Sequence, residues 1–96
     1  MTGIENMKFQ PNPRMSWSDQ LPELVIYDQD SGNYHALNAS ASAIWRALQY
    51  SASTKQIIEV VAREMAVAEQ VIEPDVTDFL RAACTAGLIV ELADRH

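Results

Sequence analysis

Leu24-Val25-Ile26-Tyr27, then Asp28-Gln29-Asp30-Ser31-Gly32-Asn33, then Tyr34-His35-Ala36-Leu37 running into Asn38 is the stretch from which the fold is read. The first block is β-branched and aromatic, the composition of a strand. The second concentrates residues that favour tight turns, with Gly32 able to take positive φ at no steric cost. The third is the return strand of a hairpin. A four-residue loop pairs Leu24 with Leu37 and Ile26 with His35 on one face, and Val25 with Ala36 and Tyr27 with Tyr34 on the other. The first face is assigned to the core, because Leu37 leads straight into a helix; a five-residue loop would shift every partner.

Towards the C-terminus the period becomes helical. Asn38 or Ser40 can cap a first helix whose Ala41, Ile44, Trp45 and Leu48 fall on one face, placing Ile44 and Trp45 in the core. Gln49-Tyr50-Ser51-Ala52 breaks it. Ser53-Thr54-Lys55-Gln56 has the form of a capping box, and Ile57, Ile58, Val61, Ala62 and Met65 make the apolar stripe of a second helix. A third carries Val76, Phe79, Leu80 and Ala83 on one face. Pro74 suits its first turn, and Asp75 and Asp78 suit its positive end. Ala86-Gly87-Leu88 reads as a glycine stop, followed by a short strand or extended tail over 88–92.

Towards the N-terminus, Arg14-Met15-Ser16-Trp17-Ser18 alternates as a half-buried strand and Asp19–Glu23 has turn character. Trp17 is open between a core position and a partner contact. Residues 1–13, with Pro11 and Pro13, read as a flexible arm, and 93–96 as a tail. The domain therefore spans 14–92. Its fold class is α+β, winged-helix-like, a three-stranded antiparallel sheet followed by three helices.

The chain has 96 residues, 48% of them hydrophobic and 21% charged, with a formal net charge of −6. That is enough for one core. No apolar run reaches the roughly 18 residues of a membrane span, and no secretory signal opens the chain. One cysteine, Cys84, forms no internal disulfide, so the expected compartment is the cytoplasm. No window holds adjacent basic residues, which argues against nucleic acid and acidic membrane surfaces. A recognition helix over Pro74–Ala86 would offer only Arg81 as a cation and open with Asp75 and Asp78.

Catalysis has little to work with. His35 sits in a strand and His96 ends the chain. Cys84 has no neighbouring base and reads as a buried inert thiol. Phosphate-loop, zinc-protease and paired-cysteine spacings are all missing. The reading is therefore not an enzyme, with neither metal nor cofactor.

Interaction is the remaining class. With strand 14–18 on one side of 24–27 and strand 34–37 on the other, Tyr34–Leu37 is a sheet edge. It carries no Lys, Pro or bulge to blunt it. Such an edge beside an amphipathic helix suits an extended peptide added as a further strand. Two alternatives stay open: the chain's own helix or tail residues cover the edge, or a second copy pairs with it as a homodimer. Either would make the chain a winged-helix interaction or regulatory module.

Leu24-Val25-Ile26-Tyr27-Asp28, Asp30-Ser31-Gly32-Asn33-Tyr34, Leu37-Asn38, Ala43-Ile44-Trp45, Asp75-Val76, Phe79-Leu80 and Gly87-Leu88-Ile89, in this order, resemble the PqqD-like family. These are the small peptide chaperones, or RiPP recognition elements, of ribosomally made peptide natural products. The resemblance covers about residues 14–92 and rests on the composite, no single piece being specific. It implies a non-catalytic domain that binds the leader segment of a precursor peptide between the third strand and the third helix. The leader is then presented to a modifying enzyme, such as a radical-SAM enzyme in pyrroloquinoline quinone synthesis or a leader peptidase in lasso-peptide synthesis. Carried onto this chain, the site is Tyr34, His35, Ala36 and Leu37 with Asp75, Val76, Phe79, Ala82 and Ala83, apolar pockets at Val76, Phe79 and Ala83 selecting alternate leader side chains. Two departures stand out. The resemblance implies a third helix beginning near Ala68, so that this helix either kinks at Pro74 or starts there. The Asp-Ser-Gly-Asn turn replaces a Pro-Glu-Gly type, which favours a peptide pathway other than the quinone one.

Overall fold

The computed structural model describes residues 7–20, 23–50 and 53–92. The elements in chain order are β1 (Phe9–Pro11), β2 (Met15–Gln20), β3 (Glu23–Asp28), β4 (Tyr34–Leu37), α1 (Ala39–Leu48), α2 (Thr54–Met65), α3 (Glu69–Thr85) and β5 (Ile89–Glu91). The hairpin register is the four-residue one, with Leu24 opposite Leu37, Val25 opposite Ala36, Ile26 opposite His35 and Tyr27 opposite Tyr34. Gly32 sits at φ +78°, and its N–H donates to the Asp28 carbonyl at 2.8 Å. The Asp28 carboxylate accepts the Asp30 amide at 3.0 Å and the Ser31 amide at 3.4 Å. Partial desolvation works against its charge, but these bonds and the nearby His35 outweigh it and hold its pKa below the usual carboxylate value. β2 adds antiparallel to the other side of β3 and continues through Asp19 and Gln20, past the expected end at Ser18.

Asn38 caps α1, its Oδ1 accepting the Ala41 amide at 2.9 Å. Ser53 and Gln56 form the expected capping box on α2. α3 closes on a Schellman arrangement, Leu88 N–H donating to Ala83 and Gly87 N–H to Cys84, with Gly87 at φ +80°. Its start departs from the reading at Pro74: the helix begins at Glu69 and runs on through Pro74 without ending there. A proline inside a helix costs about 3 kcal/mol and removes one amide, here the partner of the Gln70 carbonyl. Ile72 offsets that cost. It is buried four residues before Val76, and burying such a side chain is worth about 1.5–3 kcal/mol. Gln70 is exposed, so water can reach its carbonyl.

Two further expectations give way. Over 9–11 the arm is a strand: β1 pairs antiparallel with β5, and Phe9 is 2% exposed. The segment is tied on both sides, since the buried Thr54 donates from its amide and its hydroxyl to the Met7 carbonyl at 3.0 and 3.2 Å. The Leu92 amide donates to the Lys8 carbonyl at 2.8 Å. Alternation over so short a piece is invisible in sequence; one buried phenylalanine and a distant partner strand order it. Cys84 is exposed, because the inward line of α3 runs through Val76, Leu80 and Ala83 and leaves Cys84 on the flank.

The core joins both layers. Leu24, Ile26, Leu37, Ile44, Trp45, Leu48, Ile57, Val61, Val76, Leu80 and Ile89 belong to one buried cluster, which confirms Ile44 and Trp45 as core. Trp17 is half-buried and meets Trp45 edge-on, ring centroids 5.3 Å apart at 80°, which places it on the core side. Two side-chain devices tie helices to strands. The buried Ser42 hydroxyl accepts the Leu24 amide at 2.9 Å and donates to the Leu37 carbonyl at 3.2 Å. The Arg46 guanidinium grips Asp19 of β2 with two bonds of 2.8 Å and approaches Glu64 of α2 at 3.7 Å.

Candidate functional site

β3 is central in the β2-β3-β4 sheet, so β4 is an edge of that sheet. The direction of its backbone groups follows from the register. Asp28 N–H donates to the Asn33 carbonyl at 2.9 Å, which makes the Asp28–Asn33 pair a hydrogen-bonded one. Bonded and non-bonded pairs alternate in an antiparallel ladder. His35 and Leu37 therefore turn their N–H and C=O groups to β3, while Tyr34 and Ala36 turn theirs to the open edge. The side chains alternate too: Leu37 is buried and His35 half-buried on the core side, and Tyr34 and Ala36 are exposed on the outer face.

On α3 the expected site residues separate into two sets. Val76 is 0% and Ala83 3% exposed; both belong to the core cluster rather than to a surface pocket. Asp75 and Ala82 are exposed, and Phe79 is half-buried against that cluster. At 3.6 residues per turn, Asp75, Phe79 and Ala82 share one flank of the buried line. Glu69, Gln70 and Glu73 lie on the other side, and with Glu59, Ala62 and Arg63 of α2 they line a shallow polar depression of about 690 Å³. The Asp75–Phe79–Ala82 flank therefore faces away from α2. Because α3 begins early, Val71 extends this flank by one turn, and it is 63% exposed. The extra turn implied by the family resemblance was the one signal for Val71; the residue pattern alone placed it outside the helix.

Leu37 of β4 and Val76 and Leu80 of α3 belong to one core cluster, and Phe79 packs against it. The arrangement offers main-chain donors and acceptors along an edge and a partly apolar helix flank. Among the described residues, no three His, Cys, Asp or Glu side chains group as metal ligands, and no helix is long and apolar enough to cross a membrane. A second depression, about 330 Å³, lies beside β2 between Pro11, Asn12, Pro13, Met15, Trp17 and Gln49. An added strand needs an open edge and no enclosed cavity, so depressions elsewhere do not count against β4.

The family described as Coenzyme PQQ synthesis protein D (PqqD) matches residues 23–89, from β3 to the start of β5. Among solved structures, the fold is similar to one described as TbiB1 in complex with the TbiA(beta) leader peptide. The TM-score is 0.77 and the identity 27%, covering 88% of this chain and 99% of that one. It is also similar in fold to a lasso peptide synthetase B1 complexed with the leader peptide, with a TM-score of 0.74 and 23% identity over 85% of this chain and 96% of that one. No curated protein matches the sequence.

Proposed function

Because the chain belongs to the PqqD family, we propose that it is a non-catalytic recognition domain that binds the leader segment of a precursor peptide by strand addition to β4. The observation that carries this reading is the outward-turned main chain of Tyr34 and Ala36, unpaired among the described residues, at the edge of the sheet that shares a core with α3. Support comes from the TbiB1 structure, a relative of nearly the same length in complex with a leader peptide. Backbone bonds supply affinity along 34–37, and His35, Leu37, Asp75, Phe79 and Ala82 line the core-side path of alternate leader side chains. Val76 and Ala83 stay inward, within the core cluster against which Phe79 packs. The domain hands its peptide to a modifying enzyme, a radical-SAM enzyme or a leader peptidase, in the cytoplasm.

Ala36→Pro tests this directly. Proline removes an amide that points to the open edge, so the β3–β4 ladder stays whole. The expected result is a folded monomer that has lost the leader-induced NMR shifts at 34–37 and along Asp75–Ala82, using leader segments of precursor peptides encoded beside the protein. His35→Pro removes a ladder bond instead and destabilises the fold. Loss of folding or of a dimer in Ala36→Pro, or leader titration without shifts at β4, overturns the reading in favour of an edge used structurally.

A further inference from the structure

Strand addition places only half of a bound peptide's side chains on the core side; the rest stand on the outer face of the sheet. That face carries Val25 and Tyr27 from β3 and Tyr34 and Ala36 from β4. Tyr34, at the edge, is 72% exposed, and its ring leans on that of Tyr27 with centroids 4.9 Å apart at 43°. Tyr27 braces one side of the ring and leaves the rest of its π surface open. Ala36, the next outward residue on the strand, ends at its methyl group and leaves room for a long side chain from a neighbouring strand.

Charge narrows the kind of side chain. β2, β3 and β4 contain no Lys or Arg, and Glu23 is exposed on the outer face of β3. Arg14, just before β2, is held by Asp30 at 2.7 Å. A cation laid across Tyr34 therefore meets an open π face and no basic side chain on these three strands, whereas an anion finds no such partner on the ring.

We propose that the outer face is a second specificity determinant: the outward leader residue beside Ala36 is an arginine or lysine, seated on the ring of Tyr34. This rests on the leader-binding reading and adds to it the class of peptide preferred.

The test is selection from a displayed library of randomised twelve-residue peptides against the wild-type protein, Tyr34→Ala and Tyr34→Leu, with NMR to locate where selected peptides bind. Tyr34 is exposed, so both variants keep the fold. Against wild type, the selected peptides show apolar residues alternating with a position enriched in Arg or Lys. Against either variant the enrichment disappears while the apolar period stays. An arginine peptide binds about two- to fivefold more weakly to Tyr34→Leu, the range of an exposed cation–π contact. Selected peptides that bind β4 with no basic preference, or with one indifferent to residue 34, overturn this inference and leave leader binding standing. Peptides that never perturb β4 overturn both.

Discussion

Ser42→Ala removes one oxygen atom from the core, and its consequence can be worked out from two bonds. The hydroxyl takes the Leu24 amide at 2.9 Å and gives its proton to the Leu37 carbonyl at 3.2 Å, so it spans the last rung between β3 and β4. Ser42 and Leu24 are fully buried and Leu37 nearly so, which keeps water from taking over either bond. A buried polar group left unpaired costs about 1–3 kcal/mol. If the two strand ends close partly onto each other, the loss is about 2 kcal/mol. A domain of this size changes its melting temperature by roughly 4–8 °C per kcal/mol, so thermal unfolding followed by circular dichroism should shift down by about 8–16 °C. Ser42→Cys, which keeps a weaker donor and acceptor, should fall between. The damage is local to the closed end of the β4 edge, so the Leu24 amide should also exchange with solvent faster than those at Ile26 and Tyr27. A melting temperature within about 2 °C of wild type would refute the reasoning, because the strand ends would then satisfy each other without the helix.

Three further outcomes follow from the same geometry. Val76→Ala should cost roughly 2 kcal/mol in urea unfolding and leave peptide affinity nearly intact once the protein is folded, while Phe79→Ala should do the reverse; equal effects on both quantities would erase the distinction between core line and exposed flank. The hydrogen bonds from Arg46 hold the Asp19 carboxyl below its usual value, so the unfolded chain binds the proton more readily. That contribution is complete above the unfolded value, about 3.9, and fades as pH falls through the lower folded one. Asp19→Asn should accordingly flatten the acid limb of melting temperature against pH, and parallel curves would show that the pair contributes nothing. At the helix ends, Gly87→Ala should destabilise by about 1 kcal/mol through its positive φ alone, since a Cβ there meets nothing within 4 Å, and Ala66→Gly, at φ +59° after α2, should stabilise slightly; calorimetry with the opposite order would refute the backbone argument.

What was legible in the sequence divides along a physical line. The hairpin register, the two N-caps and the glycine stop after α3 were readable, because each is decided within four to six residues by turn chemistry or side-chain capping. β1 was not, because Phe9 becomes a strand residue only when Ile89–Glu91 is brought alongside, and nothing local in Phe9-Gln10-Pro11 encodes that partner. α3 mixes the two cases. Pro74 is a strong local signal to start a helix, and the burial of Ile72 against the core overrides it. The candidate site follows the same division. Tyr34–Leu37 was recognisable as an unprotected edge from the strand order alone. On α3 the period of 3.6 could say that Val76, Phe79 and Ala83 lie close together, but not which of them the core would consume. The fold makes that choice: α2 lies against the Glu69–Glu73 flank, Val76 and Ala83 go inward, and Asp75, Phe79 and Ala82 stay at the surface. The proposed binding edge combines this Phe79 flank with the outward main-chain groups of Tyr34 and Ala36, which an added strand would pair. On that proposal one extended peptide both pairs with Ala36 and covers Phe79, and a ligand that did only one of these would satisfy half of what the fold leaves exposed.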